Sequence, residues 1–175
     1  MNDTELEDCE ICGNHAVAST LVDGEVVKEC EVCGNLSGPP EVTDLIQLQR
    51  EADGLGVSIH SFPLAHLVDR LPGVKLQGDS GGDRSAGTMP FIAFELTDHR
   101  TWQLENLGQS LRLMRSELLC EWKIEFTFEY ELGFELRPRV KDDRPRAAQV
   151  EDARNDMLHI WRRLQAFQGL GWWNQ

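Results

Sequence analysis

Four of the five cysteines fall in two matched stretches, Cys9-Glu10-Ile11-Cys12-Gly13-Asn14 and Cys30-Glu31-Val32-Cys33-Gly34-Asn35. Two cysteines separated by two residues can present both thiolates to one ion from a single tight turn, and a second such turn completes a tetrahedron. The seventeen residues between Cys12 and Cys30 lie within the gap of about fifteen to twenty that marks zinc sites of this type. Glycine follows each pair, where the lack of a side chain lets the backbone turn and bring amides toward the sulfurs. Cys9, Cys12, Cys30 and Cys33 are therefore the expected metal ligands. His15 lies close by, but four thiolates saturate a tetrahedral ion, so it reads as a neighbour of the site and not a ligand.

The paired knuckles resemble the zinc-ribbon family, whose CxxCG turns match Cys9-Glu10-Ile11-Cys12-Gly13 and Cys30-Glu31-Val32-Cys33-Gly34. The resemblance covers about a fifth of the chain. It implies a structural Zn2+ and a module that contacts nucleic acid or protein. Rubredoxin-type modules hold a redox iron on similar knuckles, which makes Fe the competing metal and a small redox protein the competing function. Those modules usually carry a proline in the second knuckle and aromatic cover. Here Glu31 and Val32 occupy the knuckle, and the first 40 residues contain no Phe, Trp or Tyr.

Other reactive residues form weaker patterns. Gly78-Asp79-Ser80-Gly81-Gly82 matches the stretch around the nucleophile of chymotrypsin-like serine proteases, but no general-base signature accompanies it. His60 and His66 stand in Ser-Ile-His-Ser and Leu-Ala-His-Leu contexts, and Ser80 reads as part of a glycine-rich loop. Cys120 reads as a small buried hydrophobe. His99 and His159 lie on expected helices without a partner at metal-ligand spacing. The acids Glu125, Glu129, Glu131 and Glu135 read as a solvated sheet face, with a cation or a basic partner as the alternative. No catalytic constellation emerges, and a non-enzymatic role is expected.

The charge balance narrows the partners. The chain carries 30 acids against 17 Lys and Arg, for a net charge of −13. By segment this is −8 over residues 1–40, −8 over 41–136 and +3 over 137–175. Such a surface repels phosphate, which argues against nucleic acid and anionic membranes. The one region that could contradict this is Arg137, Arg139, Lys141, Arg144 and Arg146, interrupted by Asp142 and Asp143; it keeps a nucleic-acid-associated regulator as a low-weight alternative. Low lysine content, four against thirteen arginines, also occurs in acid-rich proteins of salty or high-GC backgrounds. The start of the chain lacks a basic, apolar leader and no 18-residue apolar run exists, so a cytoplasmic protein with reduced thiols is expected.

The elements that must position these residues divide into two expected domains, a zinc ribbon over 1–38 and an α+β domain over 39–175. In the ribbon, Val17, Leu21, Val22, Val26 and Val27 flank Asp23-Gly24, a hairpin signal. Helices are expected from Pro40 to about Gly54–Gly56, around Leu64 to Leu71, through the 3-4-3-4 seam Leu104, Leu107, Leu111, Met114 and Leu118 with Asp98 as cap, and from Pro145 to Gly169. Short strands are expected at 57–62 and 74–76, and a further one at 91–96. Residues 78–88 read as a flexible loop. From Trp122 to Leu136 apolar and mostly acidic residues alternate without a miss. Fully extended, that run would reach about 50 Å, so it must turn, with Gly133 the expected place. The sheet is expected to be antiparallel or mixed, with three to four helices. Leu170, Trp172 and Trp173 form an aromatic tail expected to fold back on the core, with docking on a partner as the alternative. The function expected from all this is a structural-zinc adaptor contacting another macromolecule, a protein above all.

Overall fold

The computed structural model describes residues 6–22, 24–98, 101–128, 132–139 and 144–169. The chain is α+β and divides into two compact units, residues 1–51 and 52–175.

The first unit is a four-stranded antiparallel sheet in the order β1-β2-β3-β4: β1 is Glu7–Asp8, β2 His15–Val22, β3 Glu25–Cys30 and β4 Leu36–Ser37. The hairpin expected around Asp23-Gly24 is present, closed by Val22 opposite Glu25; Asp23 itself lies outside the described residues. Valines 17 and 27 turn inward, while Leu21 and Val26, directly opposite one another, both face solvent. Helix α1, Pro40–Leu55, then starts on proline, whose fixed φ and missing N–H suit a first helical position.

In the second unit, β5 (Val74–Ser80), β6 (Phe91–Leu96), β7 (Glu121–Phe128) and β8 (Leu132–Arg139) form an antiparallel sheet in the order β5-β6-β8-β7. Helices α2 (Phe62–Asp69), α3 (Trp102–Met114) and α4 (Arg146–Gly169) pack with it: α2 on β5 and β6, α3 on β7, and α4 against both other helices. Leu64, Ile92, Phe94, Leu136, Met157 and Ile160 fill the interface. The apolar stripe of α4 is as the periodicity requires, with Val150, Ala153, Met157, Ile160, Trp161 and Leu164 all buried.

Six local expectations are corrected. Residues 57–61 are a turn, not a strand: Ser58 O accepts the N–H groups of Ser61 and Phe62, and the following Pro63 opens α2. Strand β5 runs past Leu76 through Ser80, because after an irregularity between Leu76 and Gly78 its backbone pairs with Ala93, Ile92 and Phe91 of β6. The rest of the glycine-rich segment is pinned. Asp83 and Thr88 exchange two backbone hydrogen bonds of 2.9 Å, and Asp83 Oδ1 accepts from Ser85 N, Ser85 Oγ and Ala86 N. From α4, Arg154 donates to the carbonyls of Gly81 and Gly82 at 2.8 and 2.9 Å. Gly81 lies so close to Ser58 that a Cβ would sit 2.2 Å from its Oγ.

The cap of α3 is Thr101, while Asp98 accepts a hydrogen bond from Gln103 Nε2, which also donates to Pro72 O. The helix ends at Met114, so Leu118 belongs to the connection that follows. The long alternating run turns between Phe128 and Leu132, which face one another, and Gly133 is an ordinary ladder position opposite Thr127. Residues 129–131, including Glu129 and Glu131, and the tail with Leu170, Trp172 and Trp173 lie outside the described residues.

Candidate metal centre

The hairpin sets the geometry of the four cysteines. Cys30 ends β3 opposite Val17 of β2, and Cys9 follows β1, which pairs with β2 on its other side. Each knuckle then closes by the same two backbone bonds. Gly13 N donates to Cys9 O and Gly34 N to Cys30 O, both at 2.8 Å; Cys9 N donates to Asn14 O and Cys30 N to Asn35 O, at 2.8 and 2.9 Å. Gly13 and Gly34 have φ of +71° and +70°, the left-handed region in which a side chain is strained. The second knuckle is tied to the first strand by Glu31 N donating to Ala16 O.

Among the described residues this is the cluster of metal-ligating side chains: the four sulfurs all lie within 4.8 Å of one another. Cys9 and Cys33 Sγ are 3.7 Å apart, Cys12 and Cys30 Sγ 3.6 Å. A tetrahedron with metal–sulfur bonds of about 2.3 Å has edges of about 3.8 Å, so the donor set fits a tetrahedral thiophilic ion. Cys9 and Cys30 are buried with Val17, and Cys12 and Cys33 are exposed. Asn14 Nδ2 donates to Cys12 Sγ at 3.2 Å, and this bond together with the Asn14 backbone N–H pulls the Cys12 thiol down to about 6. At Cys33 the Asn35 backbone N–H also pulls downward, but desolvation and the three neighbouring sulfurs outweigh it and push the thiol up to about 12. Crowding four thiols into this space thus sets them against one another, a conflict that a shared cation relieves. The part played by Asn14 and Asn35 was visible in sequence only as a repeated position.

The remaining candidates are scattered. His15 Nδ1 bonds Asp8 Oδ1 at 2.8 Å on the surface of the first unit. Ser80 Oγ accepts from Gly82 N, a local turn contact. His60 is held below its ordinary value by burial first and by Arg154 second, against a smaller pull from Glu151. His66 packs on the Phe62 ring, and His159 bonds Glu117 at 2.8 Å; His99 lies outside the described residues. Cys120 is half-buried with its thiol pushed up to about 12 by burial and then by Asp156, which makes it a poor nucleophile. Of the acid row, Glu125 and Glu135 stand opposite one another in the β7–β8 ladder. The basic stretch is partly spent on internal partners, Arg137 on Glu135 and over the Phe91 ring, Arg144 on Asp152; Lys141 lies outside the described residues.

Sequence reasoning missed one organising residue. Asp156 is buried on α4 and accepts three hydrogen bonds, from Leu119 N, Cys120 N and Trp122 Nε1, at 2.9, 2.7 and 3.0 Å. Its signal was a carboxylate placed directly beside Met157 in an otherwise apolar stripe. No protein-family model, curated protein or solved structure matches the chain.

Proposed function

We propose that the chain is a zinc-stapled adaptor: a structural zinc ribbon over residues 1–38, with Cys9, Cys12, Cys30 and Cys33 as ligands, joined to an α+β domain over 39–175. The observation that carries this reading is the pair of matching knuckles with all four sulfurs within 4.8 Å. Bound there, the ion would supply charge neutralisation and a cross-link between two turns, each of which already closes on its own backbone bonds. Glu31 and Val32 in the second knuckle, and the lack of aromatic cover, favour Zn2+ over Fe.

Contact with another protein is supported by the knuckle tips. Ile11 and Val32 occupy the same position in the two turns, are 73% and 64% exposed, and each follows a glutamate, Glu10 and Glu31. Two exposed apolar side chains within an acidic module suit a protein surface with an apolar centre and basic rim better than a phosphate backbone.

Metal analysis of the purified chain tests the site: one zinc per chain is expected, colourless in visible light, whereas iron would absorb there. A metal content well below one per chain rejects the reading. For the partner, Ile11→Glu with Val32→Glu should abolish capture while leaving zinc content unchanged. Binding to nucleic acid that weakens steeply with salt would favour the regulator instead.

A further inference from the structure

Strand β7 is an edge of the second sheet, and the groove beside it faces outward. The groove, of about 280 Å³, runs between α3 and β7; Gly108, Leu111, Leu118, Trp122 and Ile124 line it together with Cys120 and the charged Arg112, Arg115, Glu121 and Lys123. It is slightly smaller than the roughly 300–1,000 Å³ of small-molecule sites. Gly108 leaves it open, since a Cβ there would meet nothing within 4 Å. Four residues along the strand from Trp122, on the same face, Phe126 packs its ring against Phe134 yet remains 66% exposed. An exposed aromatic and an open apolar groove thus share one strand edge.

On the other face of β7, Glu121 stands opposite Arg139, but the two central charges face like charges across the chain's own hairpin. Lys123 stands opposite Arg137, and Glu125 opposite Glu135. Like charges directly across a ladder destabilise it. A second β7 arriving antiparallel on the open edge can reverse that. Pairing must keep faces in phase, because a slip of one residue would turn every apolar side chain to the wrong side. Consider the in-phase registers that pair at least five residues of Glu121–Phe128. Centring on Lys123 sets lysine on lysine and Glu121 on Glu125; centring on Glu125 sets glutamate on glutamate; centring on Phe126 pairs no charges within the strand. Centring on Ile124 sets Lys123 against Glu125 twice by symmetry. In that same register Phe126 of each copy falls opposite Trp122 of the other, at the mouth of the groove.

We propose that a second copy of this chain pairs through β7 about a two-fold axis at Ile124, making one continuous eight-stranded sheet in which each Phe126 enters the other copy's α3–β7 groove. The interface is isologous and closed, so it ends at a dimer. Lysine on an edge strand ordinarily discourages pairing. With Glu125 two residues away, Lys123 instead selects one register and one partner. The proposal goes beyond the metal reading and does not depend on it.

Sedimentation of the full, metal-loaded chain over a range of concentrations tests it. A dimer is expected. Lys123→Glu and Glu125→Lys should each raise the dissociation constant on the order of tenfold, since two attractive pairs become repulsive. The combined Lys123→Glu, Glu125→Lys exchange should restore dimerisation, and Phe126→Ser should abolish it. Both single variants improve the charges within the β7–β8 hairpin, so their melting temperatures should not fall, which separates lost pairing from lost folding. A chain monomeric at every concentration overturns the proposal. So does a dimer indifferent to both single variants, an exchange variant no better than the singles, or a dimer lost on metal chelation. A chain that dimerises only after residues 170–175 are removed also overturns it, by making the chain's own tail the occupant of the edge.

Discussion

Among the described residues of the first unit only Val17, Val27, Val42, Cys9 and Cys30 form its buried apolar interior, whereas the second unit buries faces of α2 and α3 against a four-stranded sheet and of α4 against those two helices. The contrast lies in what each unit can do without help. A sheet carrying so few inward side chains gains little from burial, and units of this size usually require a metal, disulfides or a partner. The second unit removes far more apolar surface from water, and its buried carboxylate, Asp156, is fully bonded, although the buried Gln103 bonds through Nε2 and leaves its Oε1 without a partner among the described residues.

The sharpest way to break the comparison is to remove the metal. On the proposed reading, chelation or Cys30→Ser should unfold the first unit while leaving the second intact, because structural zinc binding of roughly 10–16 kcal/mol would be its folding energy. Amide spectra recorded with and without chelator would show the loss confined to residues before about Glu51; a uniform loss would mean that the units are not independent. Next in size, Asp156→Ala leaves three donors without an acceptor, the Trp122 Nε1 group buried and the Leu119 and Cys120 N–H groups partly so, and should destabilise the second unit by about 3 kcal/mol. Its melting transition should drop while zinc content stays at one per chain.

A smaller effect is expected at the pinned glycine segment. Arg154→Met keeps the aliphatic stem but removes the two carbonyl contacts, and should cost about 1–2 kcal/mol, read as faster amide exchange at Asp83 and Thr88. The smallest is a pH effect. Burial holds His60 below its ordinary value of 6.5, so between that value and its lower folded one the unfolded chain binds the extra proton. Stability from this group is complete above about pH 6.5 and lost as pH falls through that window. Denaturant titrations across the window should show this slope in the second unit, and His60→Gln should remove it.

How much of this was legible varied with how local the information was. The strand at 91–96, the buried face of α4 and the proline start of α1 follow from period and punctuation within a few residues. The turn after β7 was not, for a specific reason. Phe128 and Leu132 face one another across an odd number of loop residues, so even-numbered positions stay on one face in both strands. The alternation therefore passes through the turn unbroken, and Gly133 attracted the prediction because glycine is the usual punctuation. Residues 78–88 misled in the opposite direction. Their composition reads as loose, but β6, Asp83 and Arg154 satisfy their backbone.

The sequence by itself determined the ligand spacing, the repeated knuckle and the apolar faces of the helices, since each is a relation among neighbours in the chain. Only the tertiary structure decided that the four sulfurs converge, that Asp156 and Arg154 organise segments 36 and 73 residues away, and that β7 is an edge among the described strands. Those outcomes depend on which distant backbone groups need a partner and which strand receives none. That is settled when the sheet assembles, not by the residues alongside.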